Sequence, residues 1–204
     1  MDDAPCLARD LPDRVRLPLP IDAAALAADL ARFGPDDWTR HYVRQNYEGD
    51  WSALPLRAQA GVTHPIMMVY PNPAARAFED TPLLARTPYI RRVLAEFACP
   101  LRCVRLLRLT AGSTIKGHED LDLAVEFGMA RLHIPIVTNA DVDFRLNGTR
   151  VAMEPGSVWY LRLSDPHSVA NRGIGDRVHL VIDALADDWL KAMLGRAARS
   201  LLPT

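Results

Sequence analysis

Beyond residue 100 the apolar positions fall in short runs of strand length, several of them alternating with polar residues. Val104-Arg105-Leu106-Leu107-Arg108-Leu109 reads as a strand, closed by Ala111-Gly112-Ser113. Ala130 to Val137 reads as another, with Arg131, His133 and Pro135 on one face and Leu132, Ile134 and Ile136 on the other. Val142 to Met153 is a hairpin about Asn147-Gly148, flanked by Phe144, Leu146, Val151 and Met153. Pro155-Gly156 turns into a strand over Ser157–Leu163. His167 to Ala170 is a short strand, Asn171-Arg172-Gly173 a turn, and Arg177 to Asp183 the last strand. Six or seven short strands within about 80 residues predict two small sheets closing on each other. That form is a double-stranded β-helix of the jelly-roll or cupin kind.

The first hundred residues read differently. Residues 1–20 carry prolines at 5, 12, 18 and 20 and no clear period, which predicts an extended lead-in. Ile21 to Phe33 predicts a helix, capped by Asp22 and ended by Gly34. The stretch from Trp38 to Trp51 packs aromatic, amide and charged residues densely, and serves equally as a helix-to-strand transition or as a substrate-facing wall. Ser52 to Ala60 reads as a strand and Pro65 to Ala75 as a proline-punctuated loop. Thr87-Pro88 opens a helix, with Thr87 as cap, that runs to about Ala98 before Pro100. Asp187 or Asp188 caps a C-terminal helix to about Leu202, with Trp189, Leu190, Met193 and Leu194 on its apolar face. The expected class is therefore mainly β with flanking helices (α+β). One domain spans 1–204: a mainly helical part to residue 100, a jelly-roll core over 101–184, and a helix over 185–204.

Composition narrows the partners. The 204 residues are 49% hydrophobic and 24% charged, ordinary for a globular domain. A formal net charge of −1 gives no footprint for nucleic acid. No apolar run approaches the roughly 20 residues that span a bilayer. Met1-Asp2-Asp3-Ala4-Pro5 is no secretory signal. Cys6, Cys99 and Cys103 are too few and too odd in number for a disulfide framework, which points to the cytoplasm. Cys99 and Cys103 have no second pair with which to complete a zinc site. Asn147-Gly148-Thr149 matches a glycosylation sequon but reads as a turn.

The candidate chemistry lies in Ile115-Lys116-Gly117-His118-Glu119-Asp120. If the strand continues through them, His118 and Asp120 share a face. His167 lies in a later strand. Two imidazoles and one carboxylate suit non-haem Fe(II) and leave coordination positions open. Arg177 follows on the next strand as a fixed cation. Glu119 should point away, Asp122 replaces Asp120 if the backbone loops out, and His179 shares the face of Arg177. His41 and His64 precede the barrel and read as structural or surface residues. Spacing alone leaves three readings open: an iron oxygenase, a non-catalytic cupin-like binding or sensor module, and a cupin enzyme using another metal.

Five ordered segments then add a resemblance. They are Arg105-Leu106-Leu107-Arg108-Leu109 with Gly112-Ser113 and His118; Arg131-Leu132-His133-Ile134-Pro135; Gly156-Ser157-Val158-Trp159; His167-Ser168-Val169-Ala170-Asn171; and Asp176 through Asp183. Together they resemble the aspartyl/asparaginyl β-hydroxylase-like oxygenases, which include bacterial free-proline cis-hydroxylases. The resemblance implies a jelly-roll core, Fe(II), 2-oxoglutarate and O2. It implies that His118, Asp120 and His167 are metal ligands, and that Asp120 marks the bacterial branch. It implies that Arg177 binds the distal carboxylate of 2-oxoglutarate, with Arg131 and His133 touching the co-substrate or the substrate's acid group. Arg105, Trp51, Trp159 and Asn171 are expected to shape the substrate pocket. The expected substrate is an amino acid or an amino-acid-derived small molecule; a residue within a peptide or on a carrier protein is the alternative. Nothing in the sequence speaks to oligomeric state.

Overall fold

A computed structural model describes residues 11–200. Cys6 and the end of the predicted C-terminal helix at Leu202 lie outside them. Four α-helices are present among the described residues: α1 Ala23–Leu30, α2 Pro65–Val69, α3 Pro88–Ala95 and α4 Asp188–Arg199. The strands are β1 Arg14–Leu17, β2 Thr39–Arg40, β3 Tyr47–Glu48, β4 Trp51–Gln59, β5 Phe78–Asp80, β6 Leu101–Leu109, β7 Thr114–His118, β8 Met129–Val137, β9 Val142–Leu146, β10 Thr149–Arg150, β11 Val158–Leu161, β12 His167–Asn171 and β13 Arg177–Leu185.

Two antiparallel sheets face each other as a jelly roll. The larger has the order β1-β11-β8-β13-β6-β4-β2, with β5 paired to β4. The smaller has the order β10-β9-β12-β7-β3. Alternation divides the central strands of the large sheet cleanly. Val104, Leu106, Leu132, Ile134, Leu180 and Ile182 face outward into a core shared with α1, α3 and α4. A second apolar cluster lies between the sheets, where Leu107, Leu109 and Val181 meet Ile115, Phe144, Leu146 and Val169. The same inward parity carries Arg105, Arg131, His133, Arg177, His179 and Asp183, all but Arg131 buried. An apolar core on one face and a polar interior on the other is what positions the site.

The first hundred residues are not mainly helical. They supply β1 to β5, and β4 is a nine-residue strand inside the large sheet. Its Leu54 and Leu56 fill the outer core, while Trp51 and Ala53 face inward. The lead-in is strand as well: β1 pairs with β11, Leu17 opposite Val158. Pro12, Pro18 and Pro20 flank it without interrupting it, which an edge strand tolerates. Two helix caps follow expectation, since Asp22 accepts from the backbone N–H of Ala24 and Ala25 and Asp187 from that of Leu190. Thr87 does not cap α3; its hydroxyl donates to the Leu84 carbonyl at 2.9 Å.

Candidate active site

Sheet register creates the centre. In the pairing of β12 with β7, His167 stands directly opposite His118. Their ring centroids are 4.3 Å apart. The strand ends at His118, so Asp120 is not placed by alternation. Its backbone N–H donates to the Leu163 carbonyl at 2.8 Å, which folds the loop back toward the histidines. One ligating atom each from His118, Asp120 and His167 then lies within 4.8 Å of the others. Glu119 and Asp122 are exposed, and Asp122 is not part of this cluster.

The imidazoles are oriented for ligation. His118 Nδ1 contacts the Lys116 carbonyl at 2.8 Å and His167 Nδ1 the Asp165 carbonyl at 3.0 Å. A carbonyl only accepts, so both Nδ1 atoms carry the proton, and both Nε2 lone pairs are free for a cation. Burial also pushes the pKa of His167 down, which keeps it neutral. Asp120 is held from its other side, because Arg131 Nη1 donates to Oδ2 at 2.8 Å. Arg131 in turn is clamped by Asp183, from Nε at 2.6 Å and Nη2 at 3.0 Å. Arg105 binds the same Asp183 and donates to the Val69 carbonyl at 2.8 Å. Burial raises the Asp183 pKa, but the two guanidinium groups outweigh it and hold it below the usual carboxylate range. Burial lowers the Arg131 pKa, and Asp183 and Asp120 reverse this to a net rise.

Arg177 has no such compensation. It is 2% exposed, and none of its nitrogen atoms meets a carboxylate among the described residues. Among the described residues its one side-chain hydrogen-bond partner is His179, whose Nδ1 accepts from Nη2 at 2.9 Å, and its Nε has none. Burial without a counter-ion pushes the guanidinium down to about 9. His133 Nδ1 lies 3.4 Å from the same His179 nitrogen, and His133 Nε2 is buried without a partner. Burial, then the charge of Arg177, drives both imidazoles well below their ordinary pKa, so both are neutral. Arg177, His133 and Phe144 line one recess together with His118, Asp120 and His167.

A second cavity of about 280 Å³ opens beyond Asp120. His118, Asp120, Arg131 and Trp51 line both spaces, so the two communicate at the centre. Arg105 is part of the outer wall. Trp51 stacks on His41 with centroids 3.5 Å apart, and its indole N–H is buried without a partner. Burial, then Arg105 and Arg131 nearby, lowers the His41 pKa to about 3.

Two expected pocket residues belong elsewhere. Asn171 is fully buried but lines neither space; its amide donates to the carbonyls of Leu109 and Gly175 and accepts from Asn139 and the Gly173 N–H. It ties the turn after β12 to β6. Trp159 packs against the inter-sheet cluster and donates to the Ser157 hydroxyl at 2.9 Å, again outside both cavities. The sequence reading missed Asp183 and His41. Asp183 was open to it, since it shares the parity of Arg177 and His179. Nothing local marks His41, whose place depends on the stack with Trp51.

A jelly roll whose two sheets enclose a His-Asp-His cluster and a buried arginine defines a class of protein, and comparison with known proteins refines it. The chain belongs to the aspartyl/asparaginyl β-hydroxylase family, whose model matches residues 22–186. The L-proline cis-4-hydroxylase of Rhizobium meliloti (strain 1021) is 30% identical over 175 residues, 85% of this chain and 61% of the relative. The chain thus spans less than two thirds of that relative's length. An oxidoreductase of the 2OG-Fe(II) oxygenase family from Burkholderia pseudomallei superposes with a TM-score of 0.55 at 16% identity, over 86% of this chain and 85% of that one. A viral collagen prolyl hydroxylase from Paramecium Bursaria Chlorella virus-1 superposes at 0.50 with 9% identity, over 88% and 99%. At these identities the two structures speak to the fold.

Proposed function

We propose that this chain is an Fe(II)- and 2-oxoglutarate-dependent oxygenase that hydroxylates an unactivated C–H bond of an amino acid or an amino-acid-derived small molecule. The observation that carries the reading is Arg177: a buried guanidinium without an anion, in the same recess as an open two-histidine, one-carboxylate cluster. A dicarboxylate co-substrate held there would give Arg177 its missing anion beside the cluster that would hold the metal.

The residues fit the groups. His118, Asp120 and His167 would hold iron, a donor set suited to a non-haem Fe(II) centre with positions left open. Arg177 would take the far carboxylate of 2-oxoglutarate in paired, charge-assisted hydrogen bonds. His133, whose Nε2 has no protein partner among the described residues, lines the same recess. When bound, the iron and 2-oxoglutarate would let O2 serve as the oxidant, one oxygen atom going to the substrate carbon as hydroxyl and the other into succinate as 2-oxoglutarate loses carbon dioxide. The chain itself supplies orientation and dryness. The Lys116 and Asp165 carbonyls fix the two imidazoles, Arg131 aims Asp120, and Phe144 and Val169 keep the recess apolar.

The substrate would occupy the outer cavity. Its size falls just below the roughly 300–1,000 Å³ of ordinary small-molecule sites. Trp51 and Arg105 are among the residues that line it, and Trp51 Nε1 and Arg105 Nε have no protein partner among the described residues. The relative from Rhizobium meliloti is an L-proline hydroxylase, which supports an amino-acid substrate. No helix among the described residues is long and apolar enough to cross a membrane. The free, buried Cys99 and Cys103 fit a reducing cytoplasm.

The test is an anaerobic visible difference spectrum as 2-oxoglutarate is added to the Fe(II) protein. A metal-to-ligand charge-transfer band that disappears in His167→Ala is the expected result. Bound iron without such a band would sink the oxygenase reading.

A further inference from the structure

Pairing along β6 has a one-residue irregularity. Against β13, Val104 stands opposite Ile182 and Leu101 opposite Ala184, so Arg102 and Cys103 together face the single residue Asp183. An extra residue of this kind is a β-bulge, a device that re-aims a side chain. Consecutive residues of an unbroken strand point to opposite faces. Here Arg102 and Cys103 both line the outer cavity.

Three arginines stand in that wall, and two are neutralised. Arg105 is paired with Asp183, and Arg131 with Asp183 and Asp120. Arg102 forms no ion pair among the described residues. Its Nη2 donates to the Ala75 carbonyl at 3.3 Å, and its guanidinium sits 5.4 Å from the Phe78 ring centroid. These contacts steady the head group and leave its charge uncompensated. Arg102 lies three residues along the strand from Arg105, a span of no more than about 10 Å at ~3.3 Å per residue.

We propose that Arg102 receives a second anionic group of the substrate, so that the cavity selects amino acids whose side chain ends in a carboxylate. The proposal rests on the outer cavity being the substrate site. Trp51 marks the end of the cavity shared with the His-Asp-His recess, and the bulge presents beyond it a planar fork that takes a carboxylate through two parallel hydrogen bonds. A neutral side chain of equal length leaves that cation facing apolar carbon.

The experiment is calorimetric titration of the Fe(II) and 2-oxoglutarate-loaded protein under argon with two length-matched series. Aspartate, glutamate, 2-aminoadipate and 2-aminopimelate are set against 2-aminobutyrate, norvaline, norleucine and 2-aminoheptanoate. The best dicarboxylate is expected to bind at least about tenfold tighter than its monocarboxylate counterpart. Arg102→Gln is expected to bring that pair to within about threefold. Equal or tighter binding of the monocarboxylates, a preference that survives in Arg102→Gln, or no binding in either series overturns the proposal. Succinate release without discrimination sinks this inference alone, and discrimination without succinate release sinks the oxygenase reading alone.

Discussion

Arg177 depends on His179. The imidazole accepts from Nη2 at 2.9 Å and is the guanidinium's one fixed point among the described residues. An apolar replacement frees the fork to rotate and leaves a buried donor unpaired, at roughly 1–3 kcal/mol. His179→Leu should raise the KM for 2-oxoglutarate by about tenfold or more, with kcat at saturating co-substrate held within about threefold. His179→Asn returns an acceptor oxygen near the lost Nδ1 and should recover most of that KM. Equal loss in both variants, or loss confined to kcat, would mean that His179 only fills space. At this scale the sequence was partly legible. His118, His167 and Arg177 show themselves by spacing and strand parity. Asn171 and Trp159 lie in the segments that carry the resemblance, yet their polar atoms are satisfied by protein partners that no local pattern reveals.

The strands after residue 100 were readable because turns such as Asn147-Gly148 and Asn171-Arg172-Gly173 punctuate them. The element that escaped in part is the entry into β4. Gly49 turns the chain from β3 into β4 at φ +82°, where an added Cβ would lie 2.2 Å from the Ser113 hydroxyl oxygen. That hydroxyl accepts from the Asp50 N–H at 2.9 Å and fixes the approach to Trp51. Gly61 has a similar φ of +76° with open space around its Cβ position, so it separates strain from collision. Gly61→Ala should cost about 1 kcal/mol for the left-handed backbone. Gly49→Ala should cost about 2–4 kcal/mol, because the collision adds to the strain. Urea unfolding of both variants decides it; equal losses would show that Ser113 simply moves aside. Long-range contacts of this kind explain why the lead-in reads only as extended: β1 is a strand because β11 lies beside it, whereas β4, paired with β6 and buried on both faces, was already legible as a strand over Ser52–Ala60.

The whole molecule carries its polar interior as a liability that pH exposes. His41, His133 and His179 are buried and neutral, with folded pKa values at about 3 for His41 and well below 6.5 for the other two, burial being the largest cause in each. Unfolding releases each to an ordinary pKa near 6.5. The folded pKa is the depressed one, so below about 6.5 the unfolded chain binds more protons and stability falls with pH. The stabilisation is complete above about 6.5 and drains as pH drops toward the folded values. Asp183 also has a depressed folded pKa, but its contribution is intact above about 4 and drains only below that, outside the histidine window. Each of these histidines contributes about 1 kcal/mol between pH 6.5 and 5.5, so the three give roughly 3 kcal/mol out of a typical 5–15, and His167, also lowered by burial, adds to the loss. Urea unfolding at stepped pH should show that loss, with a limiting slope of at least about three protons, and His133→Asn should lower the slope by about one proton. A stability that stays flat from pH 7 to 5.5 would mean that these imidazoles exchange protons with solvent in the folded state, and that the interior around Arg177 is wet rather than sealed.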